Sequence, residues 1–251
     1  MRSDGVFVNQ GYEWVRMNRQ ATAQTSDDLY EVGSYAGASV FRKEYTNPQV
    51  GNDGLGPVRT ATNVVRDING ILIPGDDSTL TLFDITNVLQ GGLDYVQLGR
   101  VSPVPGEGTA IFFAVGQTVA PTLMPTTGSA HFEGGTRGAY TNGAGTTYAT
   151  ASDVVLNADF GTGAITGAAS NFRMIDSAGA AVTPPHSLNF DFSADIAGST
   201  FTGTATNSSM TGSVTGGFYG YPGPPSEVSL GFTLRETAGG GTLVGVGGLR
   251  K

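Results

Sequence analysis

The side chains that could take part in catalysis are few, and they are spread along the chain. The sequence has two histidines, His131 and His186, and no cysteine. A metal site needs imidazoles clustered with carboxylates or further imidazoles, and without cysteine there is neither a thiolate ligand nor a thiol nucleophile. We therefore expect His131 to be an ordinary strand residue and His186, which follows Pro184-Pro185, to face solvent in a loop.

Paired carboxylates are the other arrangement that could act in catalysis. Two acids at a suitable separation hydrolyse glycosides, and Asp153, Asp159, Asp191 and Asp195 all lie on or beside predicted strands. Because side chains alternate along a strand, we expect these acids on its solvated face. Asn52-Asp53-Gly54 lacks the spacing of a calcium loop, and no Gly-x-Ser-x-Gly nucleophile motif occurs. We predict a non-enzymatic protein with no metal and no cofactor.

The charge and the hydropathy of the chain exclude two further classes of protein. The net charge is −8, and no run of more than two basic residues occurs, whereas nucleic-acid binding needs a basic stripe or patch. No segment approaches the roughly 18 apolar residues of a membrane-spanning helix. We expect no nucleic-acid partner and no transmembrane segment.

Strand patterns run along most of the chain and would position the polar residues. In Ser187–Asp195, the residues Leu188, Phe190 and Phe192 alternate with polar ones, as in an antiparallel strand with one wet face. Such strands recur from Leu93 onward, beginning with Leu93–Arg100 and Thr109–Gly116. Glycines inside the strands allow tight coiling, and closure removes aggregation-prone edges. The sequence predicts an all-β fold with a small, closed, antiparallel up-and-down β-barrel of about eight strands.

A different pattern precedes this series. Residues 1–92 hold a predicted strand at Tyr12–Arg19 and a predicted hairpin at Val64–Ile73, in which Asn69-Gly70 supplies the turn. We divide the chain accordingly into a β-rich N-terminal module or anchor, residues 1–92, and a barrel, residues 93–251.

Four segments of the C-terminal region carry motifs of a known family. They are Met124–Gly134 (MPTTGSAHFEG), Ala158–Gly167 (ADFGTGAITG), Phe201–Ala205 (FTGTA), and Thr215–Gly220 (TGGFYG), the last followed by Glu227, Leu230-Gly231-Phe232 and Val244–Gly248. In type and order they resemble the β-barrel domain of the transferrin-binding protein B family and its single-barrel relatives. The resemblance runs from about Tyr95 to Gly248 and departs from the family pattern at Tyr221–Pro225 and Val246-Gly247. Nothing in residues 1–92 resembles the family's receptor-binding cap.

The resemblance implies a surface-exposed binding protein that captures a host or nutrient ligand, with an iron or haem connection. Protein, haem and glycan ligands all remain open at this point. Exposed aromatic side chains are the best candidates for partner contact, because aromatic residues are enriched at interfaces. We select Tyr12 and Trp14 in the N-terminal module and Tyr221 at a loop tip.

The alternative is a structural or attachment protein, resembling a spike, of a cell-surface appendage or a phage-like particle. Such a protein would bind glycan or neighbouring subunits, and the N-terminal module would dock to a partner subunit. The N-terminal residues contain no apolar signal core. We expect the cell surface, the outer membrane or secretion if an export signal has been removed, and the surface of a phage-like particle otherwise.

Overall fold

The computed structural model of the protein describes residues 2–4, 6–7, 14–18, 29–36, 39–46, 48–66, 69, 71–85, 92–102, 110–221 and 223–251. Strands dominate these ranges, and their helical structure is one turn of 3-10 helix, Pro121–Leu123. The described part of the chain holds no helix of the length and apolar character needed to cross a membrane.

Ten antiparallel strands form an N-terminal sheet. They are β1 (Arg2–Asp4), β2 (Val6–Phe7), β3 (Trp14–Asn18), β4 (Leu29–Ala36), β5 (Ser39–Thr46), β6 (Gln49–Asn52), β7 (Pro57–Arg66), β8 (Leu72–Phe83), β9 (Val96–Ser102) and β10 (Ile111–Gly116). Their order is β1-β3-β4-β5-β7-β8-β9-β10-β2, and β6 pairs with β7. The edge strands β1 and β2 are nearly consecutive in sequence, so the sheet must curl until its two edges approach each other.

Eight further strands form a closed barrel. They are β11 (Ser129–Thr141), β12 (Thr147–Asp159), β13 (Ala164–Ile175), β14 (Phe190–Ala197), β15 (Thr200–Thr206), β16 (Met210–Tyr219), β17 (Glu227–Glu236) and β18 (Thr242–Arg250). Each strand pairs with the next, and β18 closes the barrel by pairing with β11. The predicted all-β fold, with an up-and-down barrel of about eight strands after a β-rich module, is confirmed.

Apolar side chains fill the interior of the barrel. On β14, Phe190, Phe192 and Ala194 are buried while Asp191 and Asp195 are exposed, as the alternation predicted. Neighbouring rings touch across the interior, with centroids 5.2 Å apart for Phe190 and Phe232 and 5.7 Å apart for Phe201 and Phe218. The barrel is therefore built around a packed core.

The barrel begins later in the chain than the sequence suggested, because two strands assigned to it belong to the sheet. The predicted strands Leu93–Arg100 and Thr109–Gly116 correspond to β9 and β10, which pair with each other and with β8 and β2. All six residues of β10 are buried. Its Phe113 and Val115 face the core of the sheet, and its Phe112 and Ala114 face the barrel. A strand that is apolar on both faces fits a position between two packed layers. It does not fit a barrel wall that has one solvent-exposed face.

The predicted hairpin at Val64–Ile73 is present as the turn between β7 and β8, with Val65 directly opposite Ile73. Gly70, the second residue of the predicted turn, lies outside the described residues. The curled sheet packs on the outer face of the barrel through a shared apolar cluster that includes Leu98 and Phe112 from the sheet and Tyr219 and Val246 from the barrel. The division of the chain into units of residues 1–92 and 93–251 stays a prediction.

Candidate binding surfaces and the joint between sheet and barrel

Of the three aromatic residues selected from the sequence, two lie among the described residues and are far apart in the chain. Tyr12 falls outside the described residues. Trp14 begins β3, where its backbone pairs with Gly33 of β4. Tyr221 lies in the turn after β16 with 60% of its surface exposed, and its carbonyl oxygen accepts a hydrogen bond from the hydroxyl of Tyr95 at 3.1 Å. The role of all three in partner contact stays a prediction.

The tip of the β7–β8 hairpin carries exposed apolar residues that are not among those selected from the sequence. Val65 and Ile73, which face each other across the two strands, are each 42% exposed, and Ile71 is 60% exposed. Single exposed apolar residues are common, but neighbouring ones mark a candidate contact surface. The sequence signal was available, since apolar residues flank a turn of two predicted strands.

A cleft of about 460 Å³ opens where β5 and β6 both pair with β7. It is lined by hydroxyl and amide side chains and one alanine, namely Thr46, Gln49, Thr60, Ala61, Thr62 and Thr79. These groups donate and accept hydrogen bonds without titrating near neutral pH. The lining residues named here therefore offer hydrogen bonds and no acid–base group.

The joint between sheet and barrel is held by polar contacts at one rim of the barrel. The carboxylate of Glu227, at the start of β17, accepts hydrogen bonds from the backbone N–H groups of Asp94, Tyr95 and Val96 at 2.5, 2.8 and 3.1 Å. Arg250, directly opposite Glu227 on β18, donates to the carbonyl of Gly92 and to the Asp94 carboxylate. Burial raises the pKa of Glu227, against the lowering effect of the three N–H donors.

The Phe218-Tyr219 pair of the family motif serves both sides of this joint. Phe218 points into the barrel core, whereas Tyr219 points outward and is buried beneath the sheet. The hydroxyl of Tyr219 accepts a hydrogen bond from Ser229 at 3.2 Å. This inward and outward placement follows from the alternation of side chains along a strand, and it lets the pair pack on both sides of the barrel wall.

A second polar cluster lies at the opposite rim of the barrel. Oε1 of Glu236 accepts a hydrogen bond from the Tyr140 hydroxyl at 2.5 Å and lies 2.7 Å from Nε2 of His186. Only 22% of the His186 side chain is exposed. The expectation of a solvent-facing His186 was therefore wrong, because the long β13–β14 connection folds back over the barrel end. The spacing of 50 residues between His186 and Glu236 gave no sequence signal.

The hydrogen bonds in this cluster shift the pKa values of its three side chains. Hydrogen bonds from Tyr140 and His186 lower the pKa of Glu236. Burial lowers the pKa of His186, but its hydrogen bonds to Glu236 and to the carbonyl of Ser187 outweigh burial, so that the pKa is raised overall. Burial, followed by the contact with Glu236, raises the pKa of Tyr140 to about 12.

We expect this cluster to make the stability of the barrel depend on pH. A raised pKa of His186 in the folded state stabilises the protein below the ordinary value of 6.5, and this contribution is lost as the pH rises through the folded value. The variant His186→Gln should therefore lose about 1 kcal/mol of unfolding free energy at pH 6, and less at pH 8.5, in urea titrations. His131→Gln is the control, because the His131 side chain is 53% exposed and its loss should matter little. An equal loss for His186→Gln at both pH values would contradict the assignment.

The remaining candidate residues have structural or solvent-facing positions. His131 is exposed on β11 and hydrogen-bonds with Asn157 and Glu133, as expected for a strand residue. Oδ1 of Asp53 accepts the backbone N–H groups of Leu55 and Gly56 within its own turn. Among the residues that the structure describes, no three His, Cys, Asp or Glu side chains are grouped so as to hold a metal ion.

The fold defines a class: a small closed β-barrel with a full interior, whose outer face carries a curled sheet. A family model described as the C-lobe and N-lobe β-barrels of transferrin-binding protein B matches residues 124–251. Since this match covers just over half of the chain, the protein belongs to that family. No curated protein matches the sequence.

Several solved structures are similar to this chain at low identity. A variant of the vaccine antigen transferrin binding protein B from Haemophilus parasuis is 14% identical, covering 94% of this chain and 53% of that one, with a TM-score of 0.49. The haemoglobin receptor HpuA from Kingella denitrificans is 14% identical, covering 98% and 85%, with a TM-score of 0.49. A surface lipoprotein is 17% identical, covering 65% and 80%, with a TM-score of 0.38. The chain spans about half the length of the transferrin binding protein B structure.

Proposed function

We propose that this protein is a non-enzymatic binding protein, displayed on a cell surface, that captures an iron-carrying host protein of the transferrin or haemoglobin type. Membership of the transferrin-binding protein B barrel family supports a binding role. The family description supplies transferrin as the first ligand to test, and the haemoglobin receptor among the similar structures supplies the second.

The proposal rests on one observation. Side chains fill the interior of the barrel, whereas apolar side chains are exposed to solvent elsewhere, on the sheet. Rings such as Phe190, Phe218 and Phe232 occupy the core, so a ligand does not enter the barrel in the manner of a lipocalin. Outside it, Val65, Ile71 and Ile73 expose apolar surface at a hairpin tip. An exposed apolar tip suits a macromolecular partner, whose surface removes these side chains from water.

A protein ligand fits better than free haem. Haem iron in proteins is held by an axial side chain, most often histidine. Here His131 already bonds with Asn157 and Glu133, and His186 with Glu236. No contact among the described residues favours the glycan or subunit-docking hypotheses.

The test is surface plasmon resonance with the immobilised protein and solutions of transferrin, haemoglobin and serum albumin. We expect saturable binding of transferrin or haemoglobin and none of albumin. The double variant Val65→Thr/Ile73→Thr keeps β-branched residues but removes apolar surface, and it should weaken that binding at least about tenfold. Val155→Thr is the matched control, since Val155 is an exposed valine (37%) on the barrel wall. Absence of binding to both proteins would refute the capture function, whereas full binding by the double variant would refute the hairpin as the contact surface.

A further inference from the structure

Arg137 is a buried cation that the binding proposal does not use. It lies on the outward face of β11, opposite Ala151 of β12 and Val246 of β18, and only 3% of it is exposed because the sheet covers this face. Its Nε and Nη2 atoms are both buried, and neither has a hydrogen-bond partner among the described residues. These two atoms form one edge of the guanidinium group, and their parallel N–H bonds match the two oxygens of a carboxylate or phosphate.

A second arginine approaches the same place from the sheet. Val96, Leu98 and Arg100 alternate along β9 on the face that meets the barrel. Arg100 is half-buried, and its Nε is also buried without a partner among the described residues. Leu98 of the same strand lies 3.0 Å from where a β-carbon of Gly248 would stand, and Val246, two residues before Gly248 on β18, lies opposite Arg137. Arg100, two residues after Leu98, therefore approaches Arg137 across the joint, and Asp53 attracts both arginines.

A third arginine extends the cluster to the surface. Arg173 of β13 lies opposite Ala151, which itself lies opposite Arg137, so that one small residue separates the two cations on the same face. Arg173 is exposed, so it extends the positive charge from Arg137 to the protein surface. Burial, followed by repulsion from Arg173, lowers the pKa of Arg137.

The nearby aspartates do not occupy the buried edge of Arg137. Asp53 and Asp84 attract Arg137, but neither supplies an acceptor to its Nε or Nη2. Asp53 uses Oδ1 for the backbone of its own turn. A buried guanidinium edge without an acceptor is strongly unfavourable.

We infer that Arg137 and Arg100 form a binding site for a small oxyanion, a carboxylate or phosphate group, at the joint between the curled sheet and the barrel. Arg137 presents the bidentate edge, Arg100 adds a second donor from the sheet, and Arg173 attracts the anion from solvent. Because the two donors come from different layers, a bound anion links the sheet to the barrel.

The test is thermal unfolding and titration calorimetry in sodium chloride at constant ionic strength, with increasing inorganic phosphate or, separately, acetate. We expect a saturable rise in Tm and a matching heat of binding for at least one of the two, and their comparison distinguishes a phosphate site from a carboxylate site. Arg137→Gln should weaken that binding at least about tenfold. Arg235→Gln, which alters an exposed arginine of β17, should leave it unchanged. If Arg137→Gln does not fold, Arg100→Gln at the margin of the site serves as the second variant.

The variant Asp53→Asn distinguishes two explanations: an anion site, and a water molecule that bridges Asp53 and Arg137. The inferred site gains positive charge in this variant, so the anion should bind more tightly. A water bridge predicts instead that Asp53→Asn is less stable and shows no response to either anion. The inference is overturned if neither anion raises the Tm of the unaltered protein in a saturable way, or if Arg137→Gln responds as strongly as Arg235→Gln. Neither result depends on whether transferrin or haemoglobin binds.

Discussion

Replacing Glu227 by alanine is expected to lower the free energy of unfolding by about 3 kcal/mol. The carboxylate is 1% exposed and accepts the N–H groups of Asp94, Tyr95 and Val96. Alanine would leave three backbone donors at the joint without their acceptor, each costing about 1 kcal/mol or more where water cannot reach it. Unfolding in urea at pH 7 measures the loss, and hydrogen exchange should show faster exchange at residues 94–96.

Two further variants serve as controls for the Glu227→Ala measurement. Glu227→Gln removes the charge but keeps one acceptor oxygen, so it should lose less stability than Glu227→Ala. Glu133→Ala removes a carboxylate that is 69% exposed on the barrel strand β11 and should change stability by less than about 0.5 kcal/mol. If Glu227→Ala were as stable as Glu133→Ala, the hydrogen bonds to Glu227 would contribute nothing to holding the sheet on the barrel.

The sequence allowed the barrel to be predicted because its signals are local. Alternation such as that of Phe190, Asp191 and Phe192 depends only on the strand period of two residues, and turns such as Phe160–Gly163 depend on neighbouring residues. What alternation does not reveal is which layer covers an outward apolar residue, so the sheet over Tyr219 was not foreseen.

The same limit explains the assignment of β9 and β10 to the barrel. Both carry a strong strand signal, and nothing within them specifies whether their partners are β8 and β2 or a barrel strand. The two polar clusters could not be predicted from the sequence for a related reason. Arg137 meets Arg100, and His186 meets Glu236, only after distant strands have come together. Aromatic residues were selected because they are recognisable one at a time, whereas these clusters are properties of the folded pairings.

Replacing Gly216 by alanine is expected to cost about 3 kcal/mol of stability, at the upper end of the usual range for overpacking a core. Gly216 lies on β16 between Phe201 of β15 and Leu230 of β17. A β-carbon there would lie 2.1 Å from the carbonyl oxygen of Ser229 and 2.3 Å from Cζ of Phe201. The ring of Phe201 cannot retreat freely, because it packs edge-on against Phe218. Urea unfolding, followed by the far-ultraviolet circular dichroism of the backbone, measures the loss.

The control is Gly223→Ala in the loop after β16, where a β-carbon meets no atom within 4 Å and stability should change by less than about 0.5 kcal/mol. The double variant Gly216→Ala/Phe201→Leu tests the cause, since the smaller side chain makes room for the methyl group. We expect the two substitutions to cost less together than the sum of their separate effects, with a coupling of about 1 kcal/mol. Additive effects would instead place the strain at the backbone of Ser229. A Gly216→Ala variant as stable as the unaltered protein would mean that the aromatic core rearranges more readily than its close packing indicates.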